Sequence, residues 1–137
     1  YRENRHPIPL YGIWLINKYP DLPIAIVEAE KTAKMMRIYH PYFLWLAAGG
    51  SNMLNPSKLY PIRDKKIVLF PDHNQYDYWT KILNKAKDRY IDIDISISRE
   101  CEIWFENGLI KEGEDIADYY NNKYKFDHKL QQMVKIS

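Results

Sequence analysis

Carboxylates that follow two apolar runs are the residues of this sequence best suited to chemistry. Ile24, Ala25, Ile26 and Val27 lead straight into Glu28 and Glu30, and the run 66–70 leads into Pro71, Asp72, His73 and Asn74. Asp77 follows soon after, and Asp115 and Asp118 stand one helical turn apart further along the chain. Hard divalent cations such as Mg2+ or Mn2+ take oxygen ligands, commonly one or two protein carboxylates completed by waters and substrate phosphates. A cation so held neutralises phosphate charge and orients an attacking group, so phosphoryl or nucleotidyl transfer is the chemistry these acids suit. Each acid also has a plainer reading. Glu30 suits the positive end of a helix dipole, Asp72 suits an N-cap, and Asp115 with Asp118 suits a solvated helix face.

The elements around the acids follow from pattern. A continuous β-branched run bounded by proline and charge is the mark of a strand buried on both faces, and 24–27 and 66–70 both fit it. Residues 42–47 read as a further buried strand closing on Gly49, Gly50 and Ser51, where backbone amides could approach a phosphate. Helices are expected over 30–39, ended by His40 and Pro41, and over 75–89, with Trp79, Ile82, Leu83 and Ala86 on its apolar face. Asn55 followed by Pro56 predicts a capped short helix stopped by Pro61. The alternation in 91–97 predicts a half-buried strand near a sheet edge. Leu10–Ile16 is too short to decide between strand and helix, and 114–119 reads as helical. Strands alternating with helices predict an α/β fold, a mostly parallel sheet of about four strands with helices on both faces.

Composition narrows the class. The 137 residues suffice for one domain with its own core, and 46% hydrophobic with 28% charged residues is ordinary for a globular chain. A net charge of +2 argues against a partner recognised by bulk charge. The lone Cys101 excludes an internal disulfide framework and a paired-cysteine zinc site, and it fits a reducing, cytoplasmic setting. The sequence opens on Tyr1 rather than Met, which reads as a segment of a longer protein.

The ordered segments VEAEKTA, VLFPDHN and EDIADYY resemble the toprim domain shared by DnaG-type primases, topoisomerases and some nucleases. The nearest likeness is to the primase or helicase proteins of bacterial mobile elements, including those of Bacteroides. The resemblance covers roughly 23–120 and implies a toprim-like (Rossmann-like) domain there. On this reading 1–22 is an extension packing on the domain and 121–137 a helical C-terminal extension. It further implies Mg2+- or Mn2+-dependent nucleotidyl transfer by a replication protein. DNA or RNA and nucleotides would be the substrates, a helicase or other replication protein a partner, and no membrane would be involved. Carried over by position, Glu28 is the general acid/base and Asp72 the first metal-binding aspartate. Asn74 stands where the second aspartate belongs, with Asp77 as a compensating ligand. Glu30, Lys31, Gly49, Gly50, Asp115 and Asp118 make up a phosphate-binding or secondary site. The family's usual glycine after the first glutamate is Ala29 here. The Asn74 departure keeps two alternatives open: a catalytically degenerate fold that binds DNA or a protein partner, and a toprim nuclease.

Overall fold

The computed structural model describes residues 8–50, 52–127 and 132–135. Four parallel strands make the sheet: β1 (Ile24–Val27), β2 (Leu44–Ala47), β3 (Lys66–Leu69) and β4 (Asp94–Ile97), in the order β2-β1-β3-β4. Helix α1 (Glu30–Tyr39) joins β1 to β2, a 3-10 segment (Pro56–Ile62) lies between β2 and β3, and α2 (Tyr76–Arg89) joins β3 to β4. Helices α3 (Glu100–Glu106) and α4 (Ile116–Lys123) follow. The architecture is α/β and Rossmann-like. Among the described residues no helix is long and apolar enough to cross a membrane.

The pleat explains why the sequences of β1 and β2 are apolar throughout. Ile24 and Ile26 of β1, Leu44 and Leu46 of β2, and Ile67 and Leu69 of β3 share one core with Trp79, Ile82, Leu83 and Ala86 of α2 and with Leu59 and Ile62. The alternate residues Ala25, Val27, Trp45 and Ala47 face a second core built from Ala33 and Met36 of α1, Cys101 of α3, and Ile116 and Ala117 of α4. Both faces of β1 and β2 are therefore closed to water, and no polar residue can interrupt them. β4, at the sheet edge, alternates, with Asp94 and Ser96 exposed and Ile95 buried, and β3 does so more weakly, from an exposed Lys66 to a half-buried Val68.

Several boundaries differ from the sequence expectation. The edge strand starts at Asp94 rather than at 91, and Ile91 is 89% exposed. The short capped helix expected after Asn55 is present, of the 3-10 type, but Pro61 does not stop it. The Asn55 side chain caps it by accepting from the Lys58 N–H at 3.2 Å, and it runs through Pro61, whose fixed φ suits a 3-10 turn. The C-terminal part, expected to be helical, instead leaves α4 as β5 (Tyr124–Asp127), paired antiparallel with β6 (Gln132–Lys135). The alternation of Tyr124, Lys125, Phe126 and Asp127 has the period of a strand. Residues 1–7, Ser51, 128–131 and 136–137, with whatever was expected of them, lie outside the described residues.

Leu10–Ile16 does a little of both things its pattern allowed. Tyr11 makes an antiparallel bridge to Ala47, covering part of the free edge of β2, and the chain then turns into a 3-10 segment (Ile13–Leu15). Gly12 makes the turn with φ +89°, and a Cβ there would lie 2.5 Å from an Arg37 terminal nitrogen and 3.1 Å from Leu46. Strain and collision act together, so Gly12→Ala is expected to cost about 1–3 kcal/mol in urea unfolding. A cost under about 0.5 kcal/mol would show that the close packing of this turn on β2 is unimportant.

Candidate active site

In an open parallel sheet, ligands bind outside the carboxyl ends of the strands, where the strand order reverses. Here β2 lies to one side of β1 and β3 to the other, so the reversal falls between β1 and β3. Glu28 leaves β1 and Asp72 leaves β3 at that crevice. Ile26 and Leu69 are paired in register, and the Phe70 N–H donates to the Ile26 carbonyl at 2.8 Å. The sheet register therefore sets the two acids side by side.

Glu28 is buried, and its Oε2 accepts the Asp72 backbone N–H at 3.1 Å. The two carboxyl groups also hydrogen-bond to each other. Burial, then the charge of Glu28, then that of Asp115 push the Asp72 carboxyl up to about 9, and burial likewise raises Glu28. Two carboxylates this close cannot both ionise cheaply, so the pair holds one proton between them. Oδ1 of Asp72 is buried with no hydrogen-bond partner.

Asp115 and Asp118 reach the same region from the start of α4. They form a reciprocal cap: the Asp118 N–H donates to Asp115 Oδ1 and the Asp115 N–H donates to Asp118 Oδ2, each at 2.9 Å. The buried Thr32 hydroxyl donates to Asp115 Oδ2 at 2.8 Å, tying α4 to α1. The charge of Asp115 helps to raise Glu28 and Asp72, and Asp118 is itself raised by burial and by Asp115. The D-x-x-D segment is thus a helix cap that also adds negative charge to the crevice. Lys31 stands beside it on the rim of a small polar cavity of about 110 Å³, together with Thr32, Asp115 and Asp118.

The remaining candidates sit differently. Glu30 is exposed in the first turn of α1, the helix-dipole position, and Asp77 is exposed in the first turn of α2. Asn74 is exposed at φ +82°, the only non-glycine residue at positive φ among the described residues, and its N–H donates to Glu102 Oε2 at 3.1 Å. Asparagine is one of the few side chains that tolerates that backbone, so a turn requirement accounts for its identity. The Gly49 N–H is spent on the Glu28 carbonyl at 2.8 Å and is not free for a phosphate.

Thr32 and Glu102 carried no signal in the sequence, because their partners lie 83 and 28 residues away. His73 is buried rather than exposed. Its Nδ1 accepts the Gly113 N–H at 3.0 Å, its backbone N–H donates to the Glu114 carbonyl at 3.0 Å, and its ring stacks on Phe105 at 3.8 Å. An accepting Nδ1 places the ring N–H on Nε2, which stands 4.0 Å from Glu102 Oε2. His73 thereby pins the segment that carries Asp115 to the exit of β3.

Among the described residues no three His, Cys, Asp or Glu side chains converge as a complete ligand set. The donor set instead fits a Mg2+-type ion, which keeps most of its waters and binds one or two carboxylates. Oδ1 of Asp72, buried without a hydrogen-bond partner beside the charges of Glu28, Asp115 and Asp118, suits that role.

A family profile described as Domain of unknown function (DUF6371) matches residues 3–73, just over half of the chain. No curated protein and no solved structure matches. The matched stretch contains both acid-tipped strands and ends at His73, before the α4 acids.

The raised carboxyls have a consequence for stability. A carboxyl whose folded-state value lies above its unfolded value stabilises the fold fully below the unfolded value and loses that contribution as pH rises through the folded one. For Asp72 the window runs from 3.8 to about 9. Without divalent cations, thermal stability is therefore expected to fall across this range, and Asp72→Asn should flatten the profile and gain about 1–3 kcal/mol at its alkaline end. Parallel profiles for the two proteins would contradict the shared-proton arrangement.

Proposed function

We propose that this chain, which belongs to the DUF6371 family, is the toprim-like catalytic domain of a primase-like replication protein and carries out metal-dependent nucleotidyl transfer on nucleic acid. The observation that carries the proposal is the buried contact of Glu28 with Asp72 at the β1/β3 crevice, with the charge of Asp115 and Asp118 beside it. The acids come from three separated segments, in the order in which the toprim resemblance places them.

In this reading Asp72 would be the main residue holding the cation, whose charge would take the place of the proton that the Glu28–Asp72 pair otherwise shares. Mg2+ or Mn2+ would supply charge neutralisation for the phosphates of a nucleotide and of a nucleic-acid strand. Glu28, held in place by the Asp72 N–H, exchanges a proton with the attacking hydroxyl or the leaving group. The burial that raises Glu28 brings it nearer to the range in which a group both accepts and returns a proton. Asp115 and Asp118 increase the cation's local attraction without leaving their capping role, and Lys31 at the rim suits a phosphate. DNA or RNA and nucleotides are the substrates, and a helicase or other replication protein is the natural partner.

A second reading rests on Asn74. It is exposed and committed to a left-handed turn where the toprim pattern has its second aspartate, which favours a degenerate site kept for binding DNA or a protein partner.

Glu28→Gln and Asp72→Asn in the full-length protein are each expected to reduce template-directed primer synthesis by at least about 100-fold. Circular dichroism should remain that of the wild type. Unchanged synthesis would overturn the catalytic proposal. Salt-sensitive DNA binding indifferent to Mg2+ and to Asp72→Ala would favour the binding module, and Mn2+-dependent DNA cleavage without primer synthesis would favour a nuclease.

A further inference from the structure

A cavity of about 290 Å³ opens at the amino end of β2, the opposite edge of the sheet from the acids. Its size is close to the lower bound for small-molecule sites, about 300 Å³. Leu15, Tyr19, Leu22, Pro41, Phe43 and Leu44 give it largely apolar walls, and among the described residues Arg37 is the charged side chain that lines it.

Arg37 reaches the cavity from the last turn of α1 and is held by its surroundings. One terminal nitrogen donates to the Trp45 carbonyl at 3.0 Å, and the guanidinium stands 5.5 Å from the centre of the Tyr11 ring. Gly12 keeps the space open, since a Cβ there would collide with the same terminal nitrogen. The Nε–H is buried without a hydrogen-bond partner, and among the described residues no carboxylate lies within ion-pairing distance of Arg37. The Nε–H is closed to solvent, so a ligand in the cavity would meet the rest of the guanidinium, and a carboxylate is the acceptor that best matches a guanidinium with no counter-charge beside it.

We propose that this cavity binds a small amphipathic monocarboxylate of the size of an arylalkanoic acid. Its carboxylate would sit on the Arg37 guanidinium and its apolar body against Phe43, Leu15 and Leu22. One guanidinium among apolar walls matches one negative charge, whereas a phosphate dianion would bury a second charge with no partner. The site is independent of the acid crevice and holds whether or not that crevice is catalytic.

The test is a titration of the 15N-labelled protein with 3-phenylpropionate and, separately, with the neutral 3-phenylpropan-1-ol, followed by amide chemical shifts. Saturable shifts are expected around 12–16 and 43–45, with a Kd of about 1 mM for the acid and at least about tenfold weaker binding of the alcohol. Arg37→Gln should erase the preference for the acid. Leu15→Trp, which adds bulk to the wall and leaves the guanidinium in place, should weaken both ligands. Equal binding of acid and alcohol by the wild type, or no saturable shift by about 10 mM acid, would overturn the proposal.

Discussion

The contact between the carboxyl groups of Glu28 and Asp72 is the constraint on which the rest of the structure turns. Two like groups are held together where water is largely excluded, an arrangement that a fold selected for stability alone would avoid. It persists because rigid elements impose it. The β1–β3 register places both strand ends level, the Asp72 N–H fixes one Glu28 oxygen, and the cores above and below the sheet prevent either strand from withdrawing. A proton relieves the repulsion in the free protein, and a cation would relieve it more fully. The energetic cost and the proposed chemistry thus share one origin.

Around that contact the chain spends its polar groups on positioning. Thr32 and the Asp115–Asp118 cap bind α4 to α1, and His73 binds the segment before α4 to the exit of β3. Glu102 holds the Asn74 turn from α3. These links converge on the carboxyl edge from three helices, α1, α3 and α4, which is why segments far apart in sequence share one crevice. Lys58 serves the neighbouring strand in the same way: its ammonium is covered and donates to the Ala48 carbonyl at 2.9 Å at the end of β2, with burial lowering its affinity for a proton.

Much of the fold was legible because the sheet interior forces a simple pattern. Four-residue runs closed on both faces must be apolar, and α2 must show Trp79, Ile82, Leu83 and Ala86 at helical spacing. The acids at the ends of β1 and β3 were legible for the same reason, since charge appears where burial stops. What the sequence did not reveal is governed by partners distant along the chain or by local backbone demands. His73 reads as a surface residue until Gly113 and Phe105 are folded over it. Asn74 reads as a damaged ligand until its positive φ is seen. The DxxD segment reads as a site or a solvated face, and it is a cap that lends charge to the crevice. The last strands were missed because one short alternating run is too little to outweigh an amphipathic helix.

The central claim is that the Glu28–Asp72 crevice holds a divalent cation, and a Mn2+ titration read by paramagnetic broadening of backbone amide signals tests it most directly. It tolerates the weak affinity expected of a site with a single well-placed aspartate. The account predicts that amides near 28–29 and 71–73 broaden first, together with those near 115–118, and that Asp72→Ala abolishes the effect. Broadening scattered over the surface acids, or unchanged in Asp72→Ala, would contradict it.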